Sequence, residues 1–306
     1  MQKTNKIYTN MLFVTMAALL CCALWGSATP AIKIGYKLLL PEQNVPSIML
    51  FAGVRFTLAG ILTVLIYSIG RRKFLYPKKE NYSKVVKISC FQTVIQYIFF
   101  YIGLANTTGV KGTIISGSNV FFAIIIAALI FKQEKITLKK IVGCILGFAG
   151  IIVVNLNGLD LNMNLMGDGF VLFSAISYAT SSVLMKRYSQ YEDPVVLSGY
   201  QFIVGGIFMI LVGLISGGNI VISSMSGLAV LIYLSFLSAV AYSLWGILLK
   251  YNPVSRVTVF SFTIPVFGVA LSNLLLTEAG NVEPVNLIVT LLLICSGVFI
   301  LNFKKD

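Results

Sequence analysis

GVRFTLAG at residues 53 to 60 returns as GYQFIVGG at residues 199 to 206, each inside an apolar stretch too long for an ordinary globular helix. The register holds beyond these octets. Arg55 aligns with Gln201 at a separation of 146, Tyr97 with Tyr242, Phe100 with Trp245 and Lys111 with Arg256 at 145, and Glu134 with Glu278 at 144. Trp25-Gly26-Ser27 matches Tyr178-Ala179-Thr180 at 153, with Lys33 over Lys186. An ordered series of pairs whose separation drifts only by loop insertions reads as a duplicated chain, with halves expected at 1–158 and 159–306.

The surrounding composition sets the solvent. With 58% hydrophobic and 11% charged residues and a mean hydropathy of +0.92, the chain lies outside the soluble range. A bilayer core about 30 Å thick takes roughly 20 apolar residues per helix at ~1.5 Å of rise each. Ten such stretches are expected, at 10–38, 47–70, 84–106, 111–131, 138–156, 167–187, 195–216, 227–250, 256–277 and 285–303. Five per half is odd, so the second copy enters the membrane from the opposite side. The expected fold is therefore an all-α integral membrane protein of ten transmembrane helices, built as two inverted five-helix repeats. Such repeats can exchange conformations and expose a central cavity to alternate faces, although pseudo-symmetry also suits a channel.

The net charge of +13 follows the loops, which argues against nucleic acid as a partner. Alternating loops carry Lys3 and Lys6, seven basic residues in 71–87, four in 132–140, and pairs near 186, 250–256 and 304. The opposite side carries Lys33, Lys37 and Lys111. Cationic loops resist translocation, so both termini are expected in the cytoplasm, with the chain multi-pass in the cell membrane. The cluster Arg71, Arg72, Lys73, Lys78 and Lys79 reads either as a topology signal or as an attractor of anionic lipid headgroups. The apolar run after Lys6 is too long for a cleaved signal peptide.

Five scattered cysteines without CxxC spacing read as buried hydrophobes within the spans, and no histidine is present. Disulfides, metal sites, cofactors and imidazole chemistry are not expected. GxSxG, HExxH and P-loop motifs are absent, so a membrane-embedded enzyme is disfavoured.

Polar side chains inside spans are costly unless they face a bundle interior or a wet cavity. Gln92, Gln96 and Phe99 or Phe100 share one face of the third span, with Tyr97 and Tyr101 beside it. Ser238, Tyr242 and Trp245 repeat the theme in the eighth. Pro30 and Gly26 suggest a kink in the first span, exposing backbone beside Trp25, Ser27 and Thr29. Arg55 is the only formal charge expected well inside a span, about 12 Å from its outer end and with no acidic partner within any span. It would attract a carboxylate or phosphate and repel an organic cation, or else bond backbone carbonyls. Lys111 and Arg256 start equivalent spans, either as pathway charges for an anion or as snorkelling interfacial cations. Glu134 and Glu278 sit at helix ends as anchors or as sites of ion coupling. Without an embedded carboxylate, facilitated export or exchange is expected rather than proton-driven pumping. Gly143, Gly147 and Gly150 form a close-packing face, either an intramolecular seam or a homodimer interface.

ALWGSATPAIK at 23–33, VRFTLAG at 54–60, Tyr97 through Thr108, and Glu134 and Glu278 together resemble the drug/metabolite transporter superfamily, specifically its EamA-type members. The ninth span carries the family-like Pro265, whereas the fourth reads Ser118-Asn119-Val120-Phe121-Phe122. The resemblance implies an exporter of metabolites or amino acids with a cavity lined by spans 1, 3, 4, 6, 8 and 9. Asn119 and Tyr178, on spans 4 and 6, join the candidates on that ground, as does Gln201 as the counterpart of Arg55. The expected partners are the bilayer and a small-molecule substrate. Organic cations and drugs, or phosphate-bearing metabolites and nucleotide sugars, are the alternative substrate classes.

Overall fold

The computed structural model describes residues 2–156, 162–275 and 284–302; Glu278 and the expected boundary between the halves lie outside them. Described elements are helical throughout. In chain order they are α1 (Gln2–Thr9), α2 (Met11–Leu39), α3 (Val45–Gly70), α4 (Tyr82–Ser89), α5 (Gln96–Ala105), α6 (Gly109–Gly117), α7 (Asn119–Ile125), α8 (Leu138–Val154), α9 (Phe170–Tyr188), α10 (Pro194–Ile215), α11 (Met225–Tyr251), α12 (Val254–Thr258), α13 (Ile264–Leu275) and α14 (Pro284–Asn302). A π-helical turn over Cys90–Ile95 joins α4 to α5, another over Ile126–Ile130 extends α7, and a third over Leu165–Gly169 leads into α9. Among the described residues, nine helical segments are long and apolar enough to cross a membrane, as a multi-pass membrane protein requires. The fifth expected span is α8, whose 17 residues reach roughly 25 Å at ~1.5 Å each.

The opening octets meet each other. Helices α3 and α10 cross antiparallel, with Gly53 against Gly206 and Gly60 against Gly199. A Cβ on Gly60 would stand 2.5 Å from the Gly199 carbonyl oxygen, and one on Gly206 would stand 2.8 Å from that of Gly53. The repeated glycines are therefore what permits backbone contact. A second glycine seam joins α8 to α14, where Gly143 lies against Gly297 and Gly150 against Ile294. Thr290 donates to the Gly150 carbonyl at 3.1 Å. The Gly143 face is thus spent within the chain. Gly206→Ala is expected to destabilise the protein by about 1–3 kcal/mol through overpacking, while Gly70→Ala, with open space around it, shifts nothing. Thermal unfolding in detergent of the two variants side by side checks this.

Local chemistry departs from expectation in three places. Helix α2 runs unbroken through Pro30, and Gly26 serves close packing instead, since a Cβ there would sit 2.5 Å from Phe267 Cβ. The fourth span, which lacks the proline, is interrupted at Ser118. Ser118 Oγ donates to the Ile115 carbonyl at 2.6 Å, and Thr263 Oγ1 donates to that of Phe260 at 2.7 Å, 145 residues on. A hydroxyl that bonds back to an upstream carbonyl competes with the helix ladder, but Ser27 makes the same bond inside the unbroken α2, so the bond accompanies the interruption at Ser118 without by itself producing it. Cys21, Cys22 and Cys144 are buried as expected, but Cys90 and Cys295 are exposed.

At one end of the bundle the loop after α3 is tied to the start of α10. Arg71 pairs with Asp193, which caps α10. Glu192 Oε2 accepts from Lys78 N at 3.0 Å and Asn81 Nδ2 at 2.8 Å. Burial would raise the Glu192 pKa, but the Lys78 N–H, the Asn81 amide, the Asp193 N–H and the Lys78 charge outweigh it and hold the carboxyl below its ordinary 4.5. A depressed carboxyl stabilises the fold above its unfolded pKa and loses that contribution as pH falls through the folded value. Glu192→Ala is therefore expected to lower stability by about 1 kcal/mol near neutrality, with the difference from wild type vanishing as pH drops below 4.5. Thermal scans across pH measure it.

Candidate functional site

Seven aromatic side chains from five helices converge around the crossing of α3 and α10. Phe56 on α3 stacks on Phe202 on α10, with centroids 5.0 Å apart and planes 4° from parallel. Tyr97 on α5 and Tyr242 on α11 share a hydroxyl–hydroxyl hydrogen bond of 3.1 Å. These are the pairs that the sequence aligns at separations of 146 and 145. Phe56 also packs on Tyr97 at 4.6 Å, and Phe202 meets Tyr242 edge-on at 4.8 Å. Trp25 on α2 closes one side, edge-on to Tyr242 at 5.1 Å and to Trp245 at 4.9 Å. Tyr101 lies 5.7 Å from Tyr97, and Tyr178 packs against the same cluster.

Arg55 enters this cluster as its one formal charge. It is 4% exposed, and its guanidinium lies 4.3 Å from the centroid of the Phe56 ring. Among the described residues it meets no carboxylate, and its Nε has no hydrogen-bond partner. Cation–π attraction offsets only part of the cost of a buried cation. Such a group is stable when a ligand or water completes it.

Other unsatisfied buried atoms fall on the same sequence candidates. Trp25 Nε1, Trp245 Nε1, Gln201 Nε2, Gln92 Oε1, Gln96 Oε1 and Asn119 Oδ1 all lack partners among the described residues. Buried polar groups are otherwise nearly always bonded, but Ser89, Gln133, Ser243, Arg256, Ser261 and Asn302 also carry such atoms, so the list alone does not mark one region. The surroundings of each differ. Gln201 is fully buried and accepts from Thr93 Oγ1 at 2.7 Å. Asn119 donates to the Ser116 carbonyl at 2.7 Å. Gln92 sits inside the π-helical turn, which displaces it from the 3.6-residue register of Gln96. Ser27 bonds the Leu24 carbonyl and Tyr233 Oη, both at 2.7 Å, away from the aromatic centre. An apolar surface cleft of about 370 Å³, lined by Phe99, Leu165, Gly169, Phe170 and Phe173, includes Phe99 but none of the polar candidates.

The expectation that no acidic residue lies within a span is corrected at Asp168. It sits in the π-helical turn that opens the sixth span and is 1% exposed. Lys111 Nζ approaches Asp168 Oδ2 at 3.0 Å and also bonds the Asn162 carbonyl. Thr107 Oγ1 and Asn164 N donate to the same carboxylate. Lys111 is thus neither free in a pathway nor snorkelling; it ties the start of α6 to the segment that leads into α9. Arg256 bonds Asn252 Oδ1 at 3.3 Å and Met11 Sδ at 3.1 Å. Glu134 accepts from Ser255 N at 3.1 Å, from Ser255 Oγ at 2.6 Å and from Lys140 at 2.9 Å, so it anchors the start of α12.

Sequence reasoning passed over Phe56, Phe202 and Tyr36. The first two stand inside the repeated octets, where their equivalence was the available signal.

The comparisons agree with this architecture. The chain matches the model of the EamA-like transporter family in two segments, residues 12–156 and 165–303. It is 28% identical over 260 residues to an uncharacterized transporter of Archaeoglobus fulgidus, covering 83% of this chain and 87% of that protein. It is 25% identical over 297 residues to the uncharacterized transporter YvbV of Bacillus subtilis, covering 92% and 89%. A protein of known crystal structure shares the fold with a TM-score of 0.76 over 94% of this chain and 96% of its own, at 17% identity.

Proposed function

This chain belongs to the EamA-like transporter family and is a membrane transporter of small solutes, and from that premise we propose that it exports or exchanges carboxylate-bearing solutes, amino acids or similar amphipathic molecules, by alternating access. The observation that carries the substrate class is Arg55, a cation 4% exposed without an acidic partner among the described residues. It borders aromatic faces that suit the apolar part of such a solute.

Alternating access draws support from the pairing of equivalents. Phe56 with Phe202, Tyr97 with Tyr242, Gly53 with Gly206 and Gly60 with Gly199 are contacts expected on an in-plane pseudo-twofold axis. We read the chain as ten spans in two inverted repeats, 1–158 and 159–306, with both termini in the cytoplasm. The candidate substrate-contacting set is Trp25, Arg55, Gln96, Tyr97, Tyr101, Tyr178, Tyr242 and Trp245, with Gln92, Asn119 and Gln201 completing it as the bundle rocks. A phosphate carrier is less well supported, because Lys111 is committed to Asp168. An organic-cation carrier conflicts with Arg55. Thermal stabilisation of the purified protein by a panel of amino acids, organic cations and sugar phosphates tests the reading. Carboxylate-bearing solutes are expected to stabilise, and stabilisation confined to cations would sink it.

A further inference from the structure

Between the end of α3 at Gly70 and the start of α4 at Tyr82, the chain carries its densest run of cations on a fixed backbone. Arg71, Arg72, Lys73, Lys78, Lys79 and Lys87 are exposed, and Glu80 is the one acidic residue in 71–87. Arg71 is neutralised by Asp193. Among the described residues the heads of Arg72, Lys73, Lys79 and Lys87 form no ion pair with a carboxylate, while Lys78 acts on Glu192 through space. Phe74, Tyr76 and Tyr82 project between them, each at least half exposed.

Five hydrogen bonds hold this ledge. Lys73 N donates to the Ser68 carbonyl at 3.1 Å, and Leu75 N donates to Ser68 Oγ at 2.9 Å. Tyr200 Oη donates to the Leu75 carbonyl at 3.0 Å, and Glu192 receives Lys78 N and the Asn81 amide at 3.0 and 2.8 Å. A topology signal requires only that cations be present. Here the backbone bonds are spent inward, so the cationic heads are left facing out together.

We propose that this ledge binds the phosphate headgroups of anionic phospholipids. Its depth favours lipid over a soluble anion, since Gly70 ends one membrane-crossing segment and Lys79, itself a ledge cation, opens the next, and the exposed aromatics suit the interfacial belt. Each cation near an anionic surface contributes about fivefold in affinity.

Binding of fluorescent phosphatidylglycerol to the full-length protein in mixed micelles tests this. Lys73→Gln/Lys78→Gln/Lys79→Gln is expected to bind on the order of a hundredfold more weakly. Lys132→Gln/Lys135→Gln/Lys139→Gln, which removes equal charge from another loop, is expected to bind nearly as wild type. Glu192→Ala keeps every cation, makes the chain more positive and unpins the ledge, so the proposal expects several-fold weaker binding where charge alone expects tighter. That variant decides the matter even if the first triple does not fold. Equal loss in both triples, no loss in the ledge triple or tighter binding by Glu192→Ala overturns the proposal. Competition by glycerol phosphate as effective as that of the lipid overturns it in favour of a soluble-anion site.

Discussion

Arg55→Gln is expected to abolish stabilisation by carboxylate solutes while raising the stability of the protein alone. The two effects have opposite signs because they have different causes. In the empty protein a guanidinium 4% exposed has only the Phe56 ring and nearby phenols to compensate its desolvation, so a neutral amide of similar reach relieves that cost. In the complex the cation supplies a charge-assisted hydrogen bond, and its loss is expected to weaken binding by about 3 kcal/mol, roughly a hundredfold. Arg55→Lys keeps the charge but loses the planar fork, and falls between. Thermal unfolding with and without solute reads both effects from one sample. If carboxylates still stabilise Arg55→Gln as well as wild type, Arg55 is a structural residue and the substrate assignment fails.

Lys111→Met is expected to be the most destabilising of the charge removals, at about 3–5 kcal/mol. Asp168 has no access to water, and without the ammonium 3.0 Å away its charge is left with only Thr107 and Asn164 as donors. Asp168→Asn removes the counter-charge of the lysine, which keeps the Asn162 carbonyl, and is expected to cost less. The double variant Lys111→Met/Asp168→Leu removes both charges and is expected to regain most of the loss, so the cycle isolates the pair. Solute binding by the stable double variant then separates an anchor, which leaves affinity unchanged, from a pathway cation, which does not. A Lys111→Met protein as stable as wild type would show that the pair contributes nothing.

The membrane class and family were legible in the chain because they rest on local or repeated properties. Span length, hydropathy and the octets at 53 and 199 need no knowledge of neighbours, and most span limits lie within a few residues of the helices formed. The aromatic candidates Trp25, Tyr97, Tyr242 and Trp245 were legible for the same reason, as matched positions in a repeat. Prolines misled. Pro30 sits in an unbroken helix, whereas the fourth span, whose stretch from Ser118 to Phe122 lacks a proline, is interrupted at Ser118. Hydroxyls bond back to the preceding turn in unbroken helices too, so residue type alone does not report where a span breaks.

By itself, then, the sequence determined that this chain is a helical membrane protein read twice, with glycines and aromatics at matched positions and one arginine deep in an apolar run. Only the tertiary structure decided which groups meet. It set Phe56 on Phe202 and Tyr97 against Tyr242, turned the Gly143 face toward α14, paired Lys111 with Asp168, and left Arg55 without an acid among the described residues. Hydropathy and periodicity are properties of a one-dimensional string, but whether a buried charge is paired depends on side chains tens to hundreds of residues away. In low dielectric that pairing, not the residue type, governs the energy.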